Sequence, residues 1–296
     1  MNKNVLITGV SGMLGKSVCR SFLKSEKYHV YGISRKVDYS VSGVTMFYGD
    51  LSSADFVNSI DHIFFDAIIH CSAEVNVNLC EKDRDLAYKS NVEATMNVFS
   101  ILKAKKYIYI STDSVFDGDN GDYLENSKVN PLNYYAETKF LGENAVKECT
   151  PSYYILRTNI YGFNKPIKNS LFEWGYSELN KGIELNGFAN MFFNPLYVGQ
   201  LAELIEQIVE KDIEFGVYNT SCDDKISKYD FLQKIAREFG FSSDLIKPVI
   251  FKQTDLIAKR ALNTTLNNSK IHKAIKTFDF SINKGFSMLK KDLKNE

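Results

Sequence analysis

Tyr135 and Lys139 stand four residues apart in Tyr135-Ala136-Glu137-Thr138-Lys139, a stretch free of helix breakers that begins just after Pro131 and Asn133. A spacing of i to i+4 on a helix puts both side chains on one face. A free phenol gives up its proton only near pH ~10, so tyrosine alone is a poor acid or base at neutrality. An ammonium one turn away stabilises the phenolate and is expected to draw that pKa toward the working range. Tyr134 points off the shared face, which makes Tyr135 the candidate. Set against this is the ordinary reading, a half-buried tyrosine beside a solvated lysine. The surrounding segments favour the chemical one.

A proton donor of this kind needs a fold that brings it a partner. Val5-Leu6-Ile7 reads as a buried parallel strand and runs into Thr8-Gly9-Val10-Ser11-Gly12-Met13-Leu14-Gly15, after which Val18, Phe22 and Leu23 fall at helical spacing. Strand, glycine turn and helix in that order suit a dinucleotide. The glycines allow a tight turn and close backbone approach, and the helix N-terminus faces the phosphates. Gly9, Ser11, Gly12, Met13, Leu14 and Gly15 are therefore candidate cofactor contacts. The next apolar run, Val30 to Ile33, ends in Ser34-Arg35-Lys36, with no acid before Asp38. An acid there would hold the ribose 2′-OH of NAD, whereas a hydroxyl and positive charge suit a 2′-phosphate. Ser34 and Arg35 thus favour NADP(H) over NAD(H), against the plainer reading of a solvated strand end.

Further strands follow in the same rhythm. Asp50 and Leu51, after Met46-Phe47-Tyr48-Gly49, are placed either to meet an adenine or, for Asp50, to cap the next helix. Ala67-Ile68-Ile69-His70 leads to Cys71-Ser72-Ala73, small residues against which a cofactor can lie. His70 reads as packed at the strand end, since no carboxylate nearby would orient it. Asn91 sits inside a helical pattern, where asparagine is poor for propensity; it either reaches across to the site or faces solvent. Tyr107 to Ile110 is a fifth strand and ends in Ser111-Thr112-Asp113. Ser111 and Thr112 alternate in direction, so only one should face the site.

Composition narrows the class. Acidic and basic residues balance at 36 each among 296 residues, which argues against a nucleic-acid surface. No apolar run approaches the ~20 residues of a membrane span, and no secretory leader is expected. Cys19, Cys71, Cys80, Cys149 and Cys222 are scattered and odd in number, as in a cytoplasmic protein with reduced thiols and no zinc site. No metal is expected.

Taken together, Thr8-Gly9-x-x-Gly12-x-x-Gly15, Ser111-Thr112-Asp113-Ser114-Val115-Phe116-Asp117-Gly118, and Asn130-Pro131-Leu132-Asn133-Tyr134-Tyr135-x-x-x-Lys139 resemble the extended short-chain dehydrogenases/reductases, most closely the dTDP-4-dehydrorhamnose reductase group. The likeness continues more weakly to Arg260-Ala261-Leu262-Asn263. It implies an α/β fold: a doubly wound Rossmann-type parallel sheet over residues 1–162 plus 191–222, and a smaller, discontinuous C-terminal substrate-binding cap over 163–190 plus 223–296. It implies a cytoplasmic reductase of a nucleotide-linked 4-keto sugar. In this scheme Tyr135 is the proton donor, and Lys139 binds the nicotinamide ribose. Thr112 bonds the substrate oxygen, with Asp113 or Ser111 assisting. Lys165 or Lys168 is a candidate diphosphate contact, against the commoner reading of surface lysine. Ser114, where the group often has an aromatic, and Ala261, where it often has proline, depart from the pattern at positions that would hold the sugar. An epimerase, or a catalytically silent cofactor-binding subunit resembling the methionine adenosyltransferase beta subunit, stays open, as does a homodimer.

Overall fold

Seven apolar runs become the parallel strands of one sheet: β1 (Lys3–Thr8), β2 (Tyr28–Ser34), β3 (Val44–Tyr48), β4 (Phe64–His70), β5 (Lys103–Thr112), β6 (Tyr153–Thr158) and β7 (Gly216–Asn219). The computed structural model describes residues 2–164, 170–253 and 257–294. The strand order is β3-β2-β1-β4-β5-β6-β7, and every neighbouring pair is parallel. The chain therefore winds outward from β1, returns to β4 and winds the other way, which opens a crevice beyond the carboxyl ends of β1 and β4. Their register pairs Thr8 with His70, so the glycine turn and the Cys71-Ser72-Ala73 segment leave the sheet side by side.

Helices cover both faces, which is why the strands are apolar on both sides. Met13–Lys24 and Val198–Glu210 pack together on one face. The second of these turns its stripe of Leu201, Leu204, Ile205, Ile208 and Val209 inward. Ala54–Asn58, Ala94–Ile101 and Tyr134–Cys149 cover the other face. The helical pattern leading into Ala94–Ile101 is interrupted by a π turn, Lys89–Glu93, that contains Asn91.

The smaller region is built from the helices Leu171–Asn180 and Lys228–Phe239 and a parallel strand pair, Leu185–Phe188 with Ile246–Val249. Ser227 starts the second helix by accepting from the Asp230 amide, and Gly240 ends it in the left-handed region. Phe172, Leu179, Leu185, Phe231 and Leu232 belong to the same continuous apolar cluster as Val5 and Ile7, so the cap shares its core with the sheet. The last helix, Ile282–Lys294, packs between the cap and the helix Val198–Glu210. Its buried Ile282, Phe286 and Leu289 seat it against Val198–Glu210, where the Tyr197 hydroxyl donates to Asp292 at 2.7 Å. On its other side Lys290 donates to Glu238 and Asn283 accepts from Lys234 of the cap helix, and Phe286 packs on Phe231. No described helix is long and apolar enough to cross a membrane.

Candidate active site

Gly9 leaves β1 with φ +67, and a Cβ there would lie 2.9 Å from the Ser72 amide nitrogen. The turn thus needs glycine both for its conformation and for its neighbour. The Gly12 amide donates to the Gly9 carbonyl at 2.9 Å, and Gly12 caps Met13–Lys24 without a side-chain hydrogen bond or an acid in the first turn. The helix start therefore offers its amides to an anion. Ser11, Met13, Cys71, Ser72 and Ala73 are partly exposed around this turn, as a cofactor cradle requires. Leu14 and Leu51 bury their side chains in the core on opposite faces of the sheet, which leaves only their backbone for a cofactor.

At the end of β2, Ser34 is buried and its hydroxyl accepts from the Lys36 amide at 3.0 Å, while Arg35 is exposed. The Asp50 carboxylate accepts from the Ser52 amide and hydroxyl, both at 2.9 Å, and Ser53 rather than Asp50 caps Ala54–Asn58. His70 is enclosed, with one ring nitrogen 2.9 Å from the Thr8 hydroxyl and the other 3.2 Å from that of Thr95. Burial, helped by the charge of Lys139, pushes its pKa down to about 3. It is a neutral packing residue, as its surroundings in sequence suggest.

Tyr135 and Lys139 share a face of Tyr134–Cys149, whose N-terminus is capped by Asn133 and by Glu81 accepting from the Tyr134 amide at 2.7 Å. The Thr112 hydroxyl lies close enough to the Tyr135 phenol to act on its acidity, whereas the Ser111 hydroxyl is turned to Glu143, so Thr112 rather than Ser111 faces the site. One expectation is reversed. The phenol is pushed well above its ordinary pKa, because enclosure strips water from the charged form. The nearby Thr112 hydroxyl opposes the rise, and Lys139 is not among the charges that act on the phenol. The lysine ammonium lies 4.1 Å from the centre of the Tyr109 ring, and burial draws it down to about 7 against the pull of Glu143. The geometry thus holds a protonated tyrosine beside a lysine that titrates near neutrality.

Three further expectations are corrected. Ser111 is buried and donates to Glu143 at 2.6 Å. Glu143, one turn beyond Lys139, takes a bidentate pair of bonds from Arg157 at 2.9 and 2.7 Å. The Ser111 hydroxyl is therefore spent on supporting the helix from behind. Asn91 is fully buried; its amide oxygen accepts from Glu74 at 2.7 Å, and its nitrogen donates to the Glu74 carbonyl and to Thr138 at 3.0 Å. It pins the segment after β4 to the Tyr135 helix, acting as a positioning residue with no group left for a cofactor. Asp113, expected to assist directly, is buried with both oxygens taken. One accepts from Thr112 and Ser114 at 3.1 and 3.2 Å, the other from Asn159 and Thr264 at 2.9 and 2.6 Å. Burial raises its pKa and these four bonds oppose the rise.

Asp113 lines an open cleft together with Asn159, Phe192, Lys228, Arg260 and Thr264. Arg260 reaches it because the Asp117-Gly118 turn docks on its neighbours. Gly118 has φ +77 with Ala261 packed where a Cβ would stand, and its carbonyl accepts from the Asn263 amide at 3.0 Å. Arg260 Nη2 donates to Asn78 at 3.2 Å, while Nη1 is buried with no partner among the described residues. Sequence reasoning noted the Arg260 segment but missed Lys228, Asn159 and Thr264, since nothing local marks them. Lys165 and Lys168 lie outside the described residues.

Residues 3–287 match the family described as the RmlD substrate binding domain. The chain belongs to that family. It is 30% identical to the methionine adenosyltransferase 2 subunit beta of Bos taurus over 285 residues, covering 91% of this chain and 82% of the relative. It is 28% identical to the dTDP-4-dehydrorhamnose reductase of Aggregatibacter actinomycetemcomitans over 289 residues, covering 91% and 92%. The structure of dTDP-4-dehydrorhamnose reductase from Bacillus anthracis in complex with NADP superposes with a TM-score of 0.87 at 28% identity, over 99% of this chain and 100% of that one. The expected fold and family are both met.

Proposed function

We propose that this member of the RmlD family is an NADP(H)-dependent reductase of a nucleotide-linked 4-keto-6-deoxysugar, serving surface-polysaccharide sugar synthesis. The observation that carries the reading is a Tyr135 phenol that burial keeps protonated beside Thr112, where the neighbouring Asn133 and Asp113 line a cleft together with Lys228 and Arg260. When bound, a reduced nicotinamide supplies hydride. Tyr135 gives its proton to the oxygen that becomes a hydroxyl, a role for which a raised pKa is no handicap. A donor must arrive protonated, and the geometry does not ask it to be a base in the resting state. Thr112 orients the same oxygen and is itself held by Asp113. Lys139 lies one turn along, where a ribose hydroxyl would approach its ammonium, and Arg260 meets the substrate phosphates. The solved NADP complex of a relative supports the cofactor class, and exposed Arg35 beside Ser34 favours the 2′-phosphate form.

The test is cofactor oxidation against a panel of 4-keto nucleotide sugars, with NADPH and NADH in parallel. Stoichiometric NADPH consumption with one ketosugar is expected. Sugar interconversion without net oxidation would make the protein an epimerase. The resemblance to methionine adenosyltransferase 2 subunit beta carries a second reading, a cofactor-binding subunit without turnover. Silence across the whole panel together with co-purification of a partner enzyme would favour it.

A further inference from the structure

Lys228 opens the helix Lys228–Phe239 and lines the cleft from the cap side. Its backbone is fixed, because its amide donates to the Met191 carbonyl at 2.9 Å and the Ser227 cap holds the helix start. Its ammonium has no hydrogen bond or ion pair among the described residues, although burial acts strongly on it. The nearby acid is Asp113, whose two oxygens already accept four side-chain bonds. Arg260, on the opposite wall, faces the same space with its buried, unpartnered Nη1. One enclosed donor left unused on Arg260, a partly exposed ammonium on Lys228 and one saturated carboxylate leave the cleft net positive. Such donors cost free energy unless something accepts from them. The start of the helix adds its dipole with the same sign.

We infer that Lys228 is a substrate-binding residue: with Arg260 it grips a phosphate-bearing ligand from two sides, and so makes the cap discriminate phosphorylated sugars from free ones. The inference rests on the nucleotide-sugar reading for the identity of the ligand, but not for the existence of the anion site. A charge-assisted contact of this kind, withdrawn from a partly dry cleft, costs on the order of tenfold or more in affinity.

The experiment titrates NADPH-saturated protein calorimetrically with inorganic pyrophosphate and with a panel of nucleoside diphosphates, for the wild type, Lys228→Met and Lys228→Arg. NADPH saturation keeps the probes out of the glycine turn. Lys228→Met is expected to weaken pyrophosphate and nucleoside diphosphate by about tenfold or more. Lys228→Arg should keep most of the affinity, and all three proteins should bind NADPH alike. In turnover of a ketosugar, the loss should appear in KM and leave kcat within about twofold. Unchanged pyrophosphate binding in Lys228→Met would overturn the assignment, as would no binding to the wild type. Equal loss of NADPH affinity, or no recovery with arginine, would also count against it. If pyrophosphate binds through Lys228 but no nucleoside diphosphate binds more tightly, the anion site stands and the nucleotide-sugar reading falls.

Discussion

The two ends of the site, the glycine turn and the Asp113 cluster, are made in different ways. At the cofactor end, one continuous stretch from Val5 to Gly15 supplies strand, turn and helix start, and β4 adds three small residues beside it. At the substrate end, Asp113 gathers Thr112 and Ser114 from its own loop, Asn159 from beyond β6 and Thr264 from a segment about 150 residues away. The first end depends on backbone shape and tolerates change in exposed side chains. The second depends on side chains that must meet across the fold, so single replacements there should reach further. Tyr135 and Lys139 stand at the junction, on a helix braced from behind by Glu143 and Arg157.

The largest effect should come from separating the ends at that junction. Tyr135→Phe is expected to lower kcat by about two to four orders of magnitude, the usual worth of a positioned general acid, while NADPH affinity measured by fluorescence stays the same. Near-full turnover would remove Tyr135 from the chemistry.

Asp113→Asn probes the substrate end. Its amide keeps one acceptor oxygen, so one of the two donor pairs, Thr112 with Ser114 or Asn159 with Thr264, would meet an NH2 in place of an acceptor. Each buried donor left unsatisfied costs roughly 1–3 kcal/mol, so kcat/KM for the sugar should fall by about ten- to a hundredfold. NADPH binding should scarcely move, and an equal loss at both ends would show that the ends are not separable.

The pH dependence sharpens the junction. Lys139 is cationic below its lowered pKa of about 7 and neutral above it. If its charge is needed, turnover should fall as pH rises through that value. Glu143 opposes the lowering, so Glu143→Gln should move the limb to lower pH. Stability has the opposite sign. Between about 7 and the ordinary lysine value of 10.5 the unfolded chain binds more protons than the folded one, so this group's contribution to stability rises with pH. Turnover profiles and thermal melts on the same buffers distinguish the two.

The smallest effect belongs to the exposed rim of the cofactor end. Arg35→Ala should reduce the preference for NADPH over NADH by only a few-fold, since an exposed cation is well screened. No change in the ratio of kcat/KM values would assign the 2′-phosphate to other groups.

Much of this molecule is legible in its residues. The first five strands, the glycine turn with its helix, and the shared face of Tyr135 and Lys139 all come from local pattern, because burial and backbone geometry act over a few residues. The same locality explains the failures. Asn91 and Ser111 carry polar groups at suggestive positions, yet each is spent on a partner, Thr138 or Glu143, that is remote in sequence. The expected depression of the Tyr135 pKa followed from spacing alone, whereas enclosure by the surrounding fold dominates.

From the chain alone come the doubly wound sheet, the phosphate-ready turn and the pairing of a phenol with an ammonium on one helical face. Each depends on bond geometry and periodicity within a few turns or strands. Only the tertiary structure decided which hydroxyl lies by that phenol, which way its acidity is moved, and that Lys228 and Arg260 line one cleft with Asp113. Those outcomes depend on desolvation and on contacts between segments far apart in sequence, and neither is written in any short stretch of residues.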